Sequence, residues 1–258
     1  MTVSHWQQTH RERTTAYDVV IVGGGIVGCS TAYWLGRRAP SLRVAIVEAR
    51  TLGTGASGRN AGFVLQGTAT DYLTDIERYG ERTARRLWHF TRANRDLLAA
   101  ELRGDAFGWI SDGSLTVAGD ADEDERLRKS VSRLRAAGAP VVYLDPEKTN
   151  ERLGATGFYG GLYVTTGGVL NPLQLVHHLA DESGAEVRTH HPVEQIWWDS
   201  DGATLDTPDL RLWARQVVLA AGASVPALAP SLSRYARPMR AQMLATVPAE
   251  TRSISVPA

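Results

Sequence analysis

Val19-Val20-Ile21-Val22-Gly23-Gly24-Gly25-Ile26-Val27-Gly28 decides the fold of this chain. An apolar run ends in the pattern G-x-G-x-x-G, carried by Gly23, Gly25 and Gly28. A second apolar run, Val44-Ala45-Ile46-Val47, ends at Glu48, 20 residues after Gly28. Glycines alone say little. Between a strand and a helix, with an acid at this distance, they read as a dinucleotide-binding βαβ unit. Gly23 lets the chain turn off the strand, Gly25 bares the backbone for a pyrophosphate, and Gly28 lets the helix close on the sheet. The helix opening at Ile26 and Val27 aims free N–H groups and its positive dipole end at the phosphates. Glu48 suits ribose hydroxyls and disfavours a 2′-phosphate.

Working outward, strand 18–22, helix 26–37 and strand 43–48 predict a parallel sheet. A glycine-rich loop follows, with Gly55, Ala56, Ser57, Arg59, Asn60 and Gly62. Its glycines permit close backbone approach, its amides suit an anion nest, and Arg59 and Asn60 offer donors. Helical texture covers 70–103, with Leu87, Phe90, Leu97, Leu98 and Leu102 near one face. Residues 107–118 predict a hairpin around Asp112-Gly113. Helix 122–137 is amphipathic through Leu127, Val131 and Leu134, and its acidic start suits the helix dipole. A strand at 141–144 precedes the turn or short helix of Asp145-Pro146. Asn171 is placed to cap a helix that Pro172 opens. Strands 185–189 and 192–198 follow, then a turn at Asp201-Gly202. The apolar strand 216–221, closed by Gly222, predicts burial on both faces in a parallel sheet. The reading is an α/β fold, a Rossmann-like sheet interrupted by an inserted α+β domain with a mixed or antiparallel sheet.

The 258 residues, 43% hydrophobic, suffice for one large core or two smaller ones. Basic and acidic residues balance at 28 each, so there is no charge footprint for nucleic acid or an anionic membrane. The single cysteine, Cys29, excludes an internal disulfide and a cysteine metal cluster, and fits a reducing cytoplasm. On the first helix it reads as core. His177-His178 and His190-His191 are adjacent pairs that point apart, which is poor metal-ligand spacing. Trp197-Trp198 alternate on a strand, one expected in the core and one at the surface. Residues 1–16 read as a mobile tail, and no run of 18 apolar residues suggests a membrane-spanning helix. No Ser/His/Asp or paired-carboxylate arrangement stands out. The catalytic residue is left unassigned, which is compatible with a cofactor carrying the reaction.

Taken with Glu48-Ala49-Arg50, Gly55–Gly62, Gly160-Gly161-Leu162-Tyr163, Gly168–Pro172, Val217–Gly222 and Arg237–Met243, the chain resembles the FAD-dependent amine and amino-acid oxidases of the D-amino-acid oxidase superfamily. The Gly55–Asn60 loop is most like the γ-glutamylputrescine oxidase branch. The resemblance implies FAD. Gly23, Gly25, Ile26, Val27 and Gly28 would hold the pyrophosphate, and Glu48, Ala49 and Arg50 the adenosine. Gly55, Ala56, Ser57, Arg59, Asn60 and Gly62 would run toward the flavin ring. Val193 would meet adenine through its backbone, with Ala221 and Gly222 close by. It further implies an FAD-binding domain at 17–80 and 168–235, and a partial substrate-binding domain at 81–167 and 236–258.

Alternation over 239–247 predicts a strand entering a substrate sheet, and the chain ends at Ala258 before the family's flavin cap. It is therefore expected to be C-terminally truncated, or completed by a partner chain. The implied activity is oxidation of a C–N bond in a small amine or amino acid. The alternatives are a remnant that binds only the ADP part of FAD, and an NAD-dependent dehydrogenase.

Overall fold

A computed structural model describes residues 14–102, 104–235 and 238–243. Along the chain run β1 (Thr15–Val22), α1 (Ile26–Arg38), β2 (Val44–Val47), β3 (Phe63–Val64), α2 (Tyr72–Tyr79), α3 (Glu81–Glu101), β4 (Ser114–Val117) and α4 (Ala121–Ala136). There follow β5 (Val141–Leu144), α5 (Pro146–Leu153), β6 (Gly161–Val164), β7 (Gly168–Val169), α6 (Pro172–Asp181), β8 (Glu186–Arg188), β9 (Gln195–Trp198), β10 (Ala203–Asp206), β11 (Arg211–Leu219) and the short α7 (Val225–Leu228). The described residues up to Ala61 and from Asn171 onward form one compact unit, and Gly62–Leu170 form a second. Among the described residues no helix is long and apolar enough to cross a membrane.

The first unit is built on a six-stranded sheet in the order β8-β2-β1-β11-β10-β9. The first four strands are parallel, and β10 and β9 are added antiparallel. Val19–Val22 stand in register with Val44–Val47 and with Gln216–Leu219. Val20 and Val22 enter a cluster with Ala45, Val47, Leu205, Leu212 and Ala214. Val19 and Ile21 alternate to the opposite face, where α1 lies and buries Cys29, Ala32 and Tyr33. Helix α6 begins as its sequence dictates. Asn171 accepts the N–H groups of Leu173 and Gln174, both at 3.1 Å, and Pro172 fills the first position.

Three expectations for this unit are corrected. Val217, Val218 and Leu219 are half-buried, because β10 pairs only with Arg211–Ala214 and the end of β11 outruns it. Trp197 and Trp198 are both exposed, at 57% and 62%, because β9 is the outer strand and has a neighbour on one side only. Thr15 and Ala16 are not tail but part of β1, paired with Leu212 and Trp213; residues 1–13 lie outside the described residues. Of the alternation at 239–247, residues 239–243 carry no regular structure and are exposed, and 244–247 lie outside the described residues.

The second unit has an antiparallel sheet in the order β4-β6-β5 and a two-stranded β3-β7 ribbon. The hairpin expected at 107–118 does not form. Ser114–Val117 pair instead with Gly161–Val164, and Ile110 bridges to Val169. The Asp112-Gly113 signal survives only as a turn, with Gly113 N–H bound to Gly167 O at 3.0 Å. The helical stretch breaks at Gly80, whose φ of +77° suits glycine and ends α2 before α3 begins. The buried face of α3 is Ala84 and Trp88, while Phe90 is 73% exposed. Tyr72 packs with those two residues and with Leu127, Val131 and Leu134 of α4. That packing places residues 62–80 with the second unit, so the division falls after Ala61 rather than after residue 80. Likewise β7 stays in the second unit through its pairing with β3.

Asp71 caps α2. It accepts the N–H groups of Leu73 and Thr74 at 3.0 and 3.1 Å, the Thr74 hydroxyl at 2.7 Å, and the Arg126 guanidinium at 3.1 Å. Burial pushes its carboxyl up, but the Thr74 hydrogen bonds and Arg126 outweigh that and hold it below its ordinary value. A lowered folded-state value means stability that is present above the ordinary carboxylate range and is lost as pH falls through the folded value. Asp71→Ala is therefore expected to cost about 1–2 kcal/mol at neutral pH. In urea titrations the gap from the parent protein should shrink below about pH 4. An undiminished gap in acid would show that the cap does not act through its charge.

Candidate dinucleotide site

The site forms where the parallel strands of the first unit end together. Gly23 N–H donates to Val47 O and Ala220 N–H to Val22 O, both at 2.8 Å, so β1, β2 and the end of β11 stay locked through the turn. This is the carboxyl edge of a parallel sheet, where open α/β folds take ligands. Gly23 (φ +113°) passes so close to Ala220 that a Cβ would stand 2.5 Å from its carbonyl oxygen.

Helix α1 starts at Ile26 with Gly25 as N-cap and with no acid in its first turn. Its free N–H groups and dipole therefore present positive character. The glycine-rich loop folds over this end. Ser57 Oγ accepts the Ile26 N–H at 2.9 Å, and Gly53 N–H donates to Gly24 O at 2.9 Å. Ala56–Gly58 form a 3-10 turn. Asn60 Nδ2 donates to the carbonyls of Ala56 and Ser57 at 3.0 and 2.8 Å, so this side chain braces its own loop. Arg59 is exposed, as is Val27 at 60% on the first turn of α1. Gly28 lies directly on the Gly23 carbonyl and on Ile21.

Glu48 stands just beyond β2. Its Oε2 accepts Gly24 N–H at 2.7 Å and its Oε1 accepts Arg50 N–H at 2.9 Å. A carboxylate has about four acceptor positions, so two remain for hydroxyl donors. Ala49 and Arg50 are exposed. Beyond them His190 N–H bonds Arg50 O at 2.8 Å and His191 N–H bonds Glu48 O at 3.0 Å. Val193 is half-buried against the sheet cluster and precedes β9, which begins at Gln195 rather than at the expected residue 192. Ala221 caps the 3-10 turn Gly222–Ser224.

The structure thus gathers sixteen of the expected residues in the first unit, while Gly62 falls in the second, where its carbonyl accepts Leu170 N–H at 3.0 Å. Sequence reasoning missed Gly24, whose N–H orients the carboxylate and whose missing side chain makes room for Leu52 and Glu48. The triple glycine was the available signal. It also missed the His190-His191 segment, which extends the pairing beyond β2; backbone bonds leave no sequence mark. The residues fit a dinucleotide. A Cβ on Gly55 or Gly222 would meet nothing within 4 Å, so backbone there is open to close approach, and Glu48 supplies a fixed acceptor.

Cys29 is fully buried, and burial first, then the charges of Glu48 and Asp181, push its thiol up to about 12. It is expected to resist Ellman's reagent at pH 8 in the native protein and to react fully in guanidinium. Rapid native labelling would contradict the packing of α1. Among the described residues no group of three or more His, Cys, Asp or Glu is placed to hold a metal.

The family described as DAO, FAD dependent oxidoreductase, matches residues 18–257. Glycine oxidase from Geobacillus kaustophilus is 33% identical over 224 residues, covering 83% of this chain and 55% of that protein. Gamma-glutamylputrescine oxidoreductase from Escherichia coli is 25% identical over 243 residues, covering 89% and 54%. The crystal structure of the Geobacillus kaustophilus glycine oxidase superposes with a TM-score of 0.68 at 28% identity, covering 85% of this chain and 59% of that one. The chain spans about half the length of the curated relatives it matches.

Proposed function

Because the chain belongs to the FAD dependent oxidoreductase (DAO) family over residues 18–257, we propose that it serves FAD-dependent oxidation of a C–N bond in a small amine or amino acid. The observation that carries this is Glu48, whose carboxylate is fixed by Gly24 and Arg50 N–H groups beside the start of α1. Gly23, Gly25, Ile26, Val27 and Gly28 then take the pyrophosphate, and Glu48, Ala49 and Arg50 the adenosine ribose. Val193, Ala221 and Gly222 border the adenosine, and the Gly55–Asn60 loop continues toward the ring system. Bound FAD supplies a two-electron acceptor for the hydride on the carbon beside a neutral amine, leaving an imine that water hydrolyses. The chain's own residues bind and orient. Its helix dipole meets the phosphate charge, and its glycines admit the backbone contact that places the ring.

A second reading is that these residues hold only the ADP half of FAD, or turn over once a partner chain completes the site, since the bonds in place at Gly24, Ile26 and Arg50 all lie at the pyrophosphate and ribose positions. Mixing with FAD, desalting and recording the flavin spectrum tests both. A retained yellow protein that bleaches with an amine under anaerobic conditions supports oxidation. Thermal stabilisation by ADP and FAD alike, with no bleaching, supports the second reading. No retention of FAD and no stabilisation by either would overturn both.

A further inference from the structure

The second unit holds a partly open pocket of about 190 Å³ lined by the 65–71 loop and by residues of α2, α3, α4, β4 and β6. Six buried side-chain polar atoms among the described residues lack a hydrogen-bond partner, and three of them belong to its lining: Gln66 Oε1, Trp88 Nε1 and Ser130 Oγ. These residues are 7%, 7% and 0% exposed. Unpartnered groups are rare in native interiors, so this concentration marks a place that expects an occupant. The opposite end of the Gln66 amide is bound to the Thr166 hydroxyl.

The lining also holds Asp75, 3% exposed and the only charged residue among the described buried ones. Among the described residues its oxygens accept only the hydroxyls of Thr68, at 2.8 and 2.9 Å, and Thr70, at 3.0 Å. Its neighbour Asp71 has Arg126; Asp75 enters none of the ion pairs of the described residues. A buried carboxylate without a cation is costly, and hydroxyls neutralise no charge.

We infer that this pocket binds a short organic cation, a primary alkylammonium that also carries a hydroxyl or carbonyl acceptor. The ammonium donates to Asp75 and to the Gln66 carbonyl, the acceptor takes the Trp88 N–H and the Ser130 O–H, and the carbon chain lies on Leu127, Leu134 and Leu162. Water alone would satisfy the polar atoms and leave the charge. A bare alkali cation would gain nothing from an indole N–H or from leucine walls. The inference rests on the second unit alone and is independent of the flavin reading.

The test is an NMR titration of the full ¹⁵N-labelled chain, following the Trp88 indole N–H, assigned through Trp88→Phe. Added 2-aminoethanol at constant ionic strength is expected to shift that resonance saturably, in the millimolar range or tighter. Asp75→Asn should weaken binding about tenfold or more, as expected when a charged partner is lost. Ser130→Ala, a smaller change, keeps the question open to measurement if the first variant does not fold, and should weaken binding a few-fold. An equal shift with 1-propanol or with potassium chloride, or no shift at all with 2-aminoethanol, would overturn the assignment.

Discussion

Gly28→Val is expected to abolish nucleotide binding and bring the first unit close to unfolding. A Cβ at this position would collide with Gly23 O and stand 3.1 Å from the carbonyl carbon and 3.3 Å from Ile21 Cγ2. The first two obstacles are backbone, held in turn by the Val47 and Ala220 hydrogen bonds, so they cannot give way as a flexible side chain would. Overpacking costs about 1–3 kcal/mol even where neighbours can shift. Here α1 must lift from β1, which removes the burial of Cys29, Ala32 and Tyr33 and pulls Ile26 from Ser57. Against a typical total of about 5–15 kcal/mol that loss is severe. Urea midpoints and ADP titration read it directly. Gly55→Ala is the control: its Cβ meets nothing, so stability should hold within about 0.5 kcal/mol. A wild-type midpoint for Gly28→Val would mean that α1 does not close on β1 as described.

What sequence could tell, it told through short-range chemistry. The apolar runs ending at Gly23 and Glu48, the Asn171-Pro172 start of α6 and the Asp145-Pro146 start of α5 are local signals, and the structure carries each out in place. The strand at 141–144 and the Leu127, Val131 and Leu134 stripe are equally local. The failures concern partners far along the chain. Ser114 pairs with Val164, so a hairpin signal at Asp112-Gly113 lost to a distant strand. Two tryptophans alternate correctly, yet the outer position of β9 exposes both. In the candidate site, the glycine pattern and the acid were legible because a tight strand-to-helix turn and a carboxylate fixed by backbone N–H groups each demand a particular residue type. Ser57 covering the Ile26 N–H and Asn60 turning inward were not, since a hydroxyl or an amide in a glycine-rich loop has many possible partners.

Glu48→Gln is expected to behave nearly as badly as Glu48→Ala. The substitution looks conservative, but both carboxylate oxygens already accept backbone N–H groups, Oε2 from Gly24 and Oε1 from Arg50. A glutamine has one carbonyl oxygen and one NH₂, so it must set a donor against one of those N–H donors. The chain either unlocks the Gly24 turn or releases Arg50, and the acceptors left for ribose hydroxyls fall with the charge. Hydrogen bonds to a charged group are worth about 1.5–3 kcal/mol, and 1.4 kcal/mol is tenfold, so affinity should drop about 10–100-fold. Calorimetric titrations with ADP, FAD and riboflavin locate the loss. ADP and FAD should weaken together, since both carry the ribose proposed for Glu48, while riboflavin, which lacks adenosine, should be unaffected. Unchanged ADP affinity alongside weakened FAD would place Glu48 at the wrong end of the dinucleotide, and the binding direction proposed for the whole loop would have to be reversed.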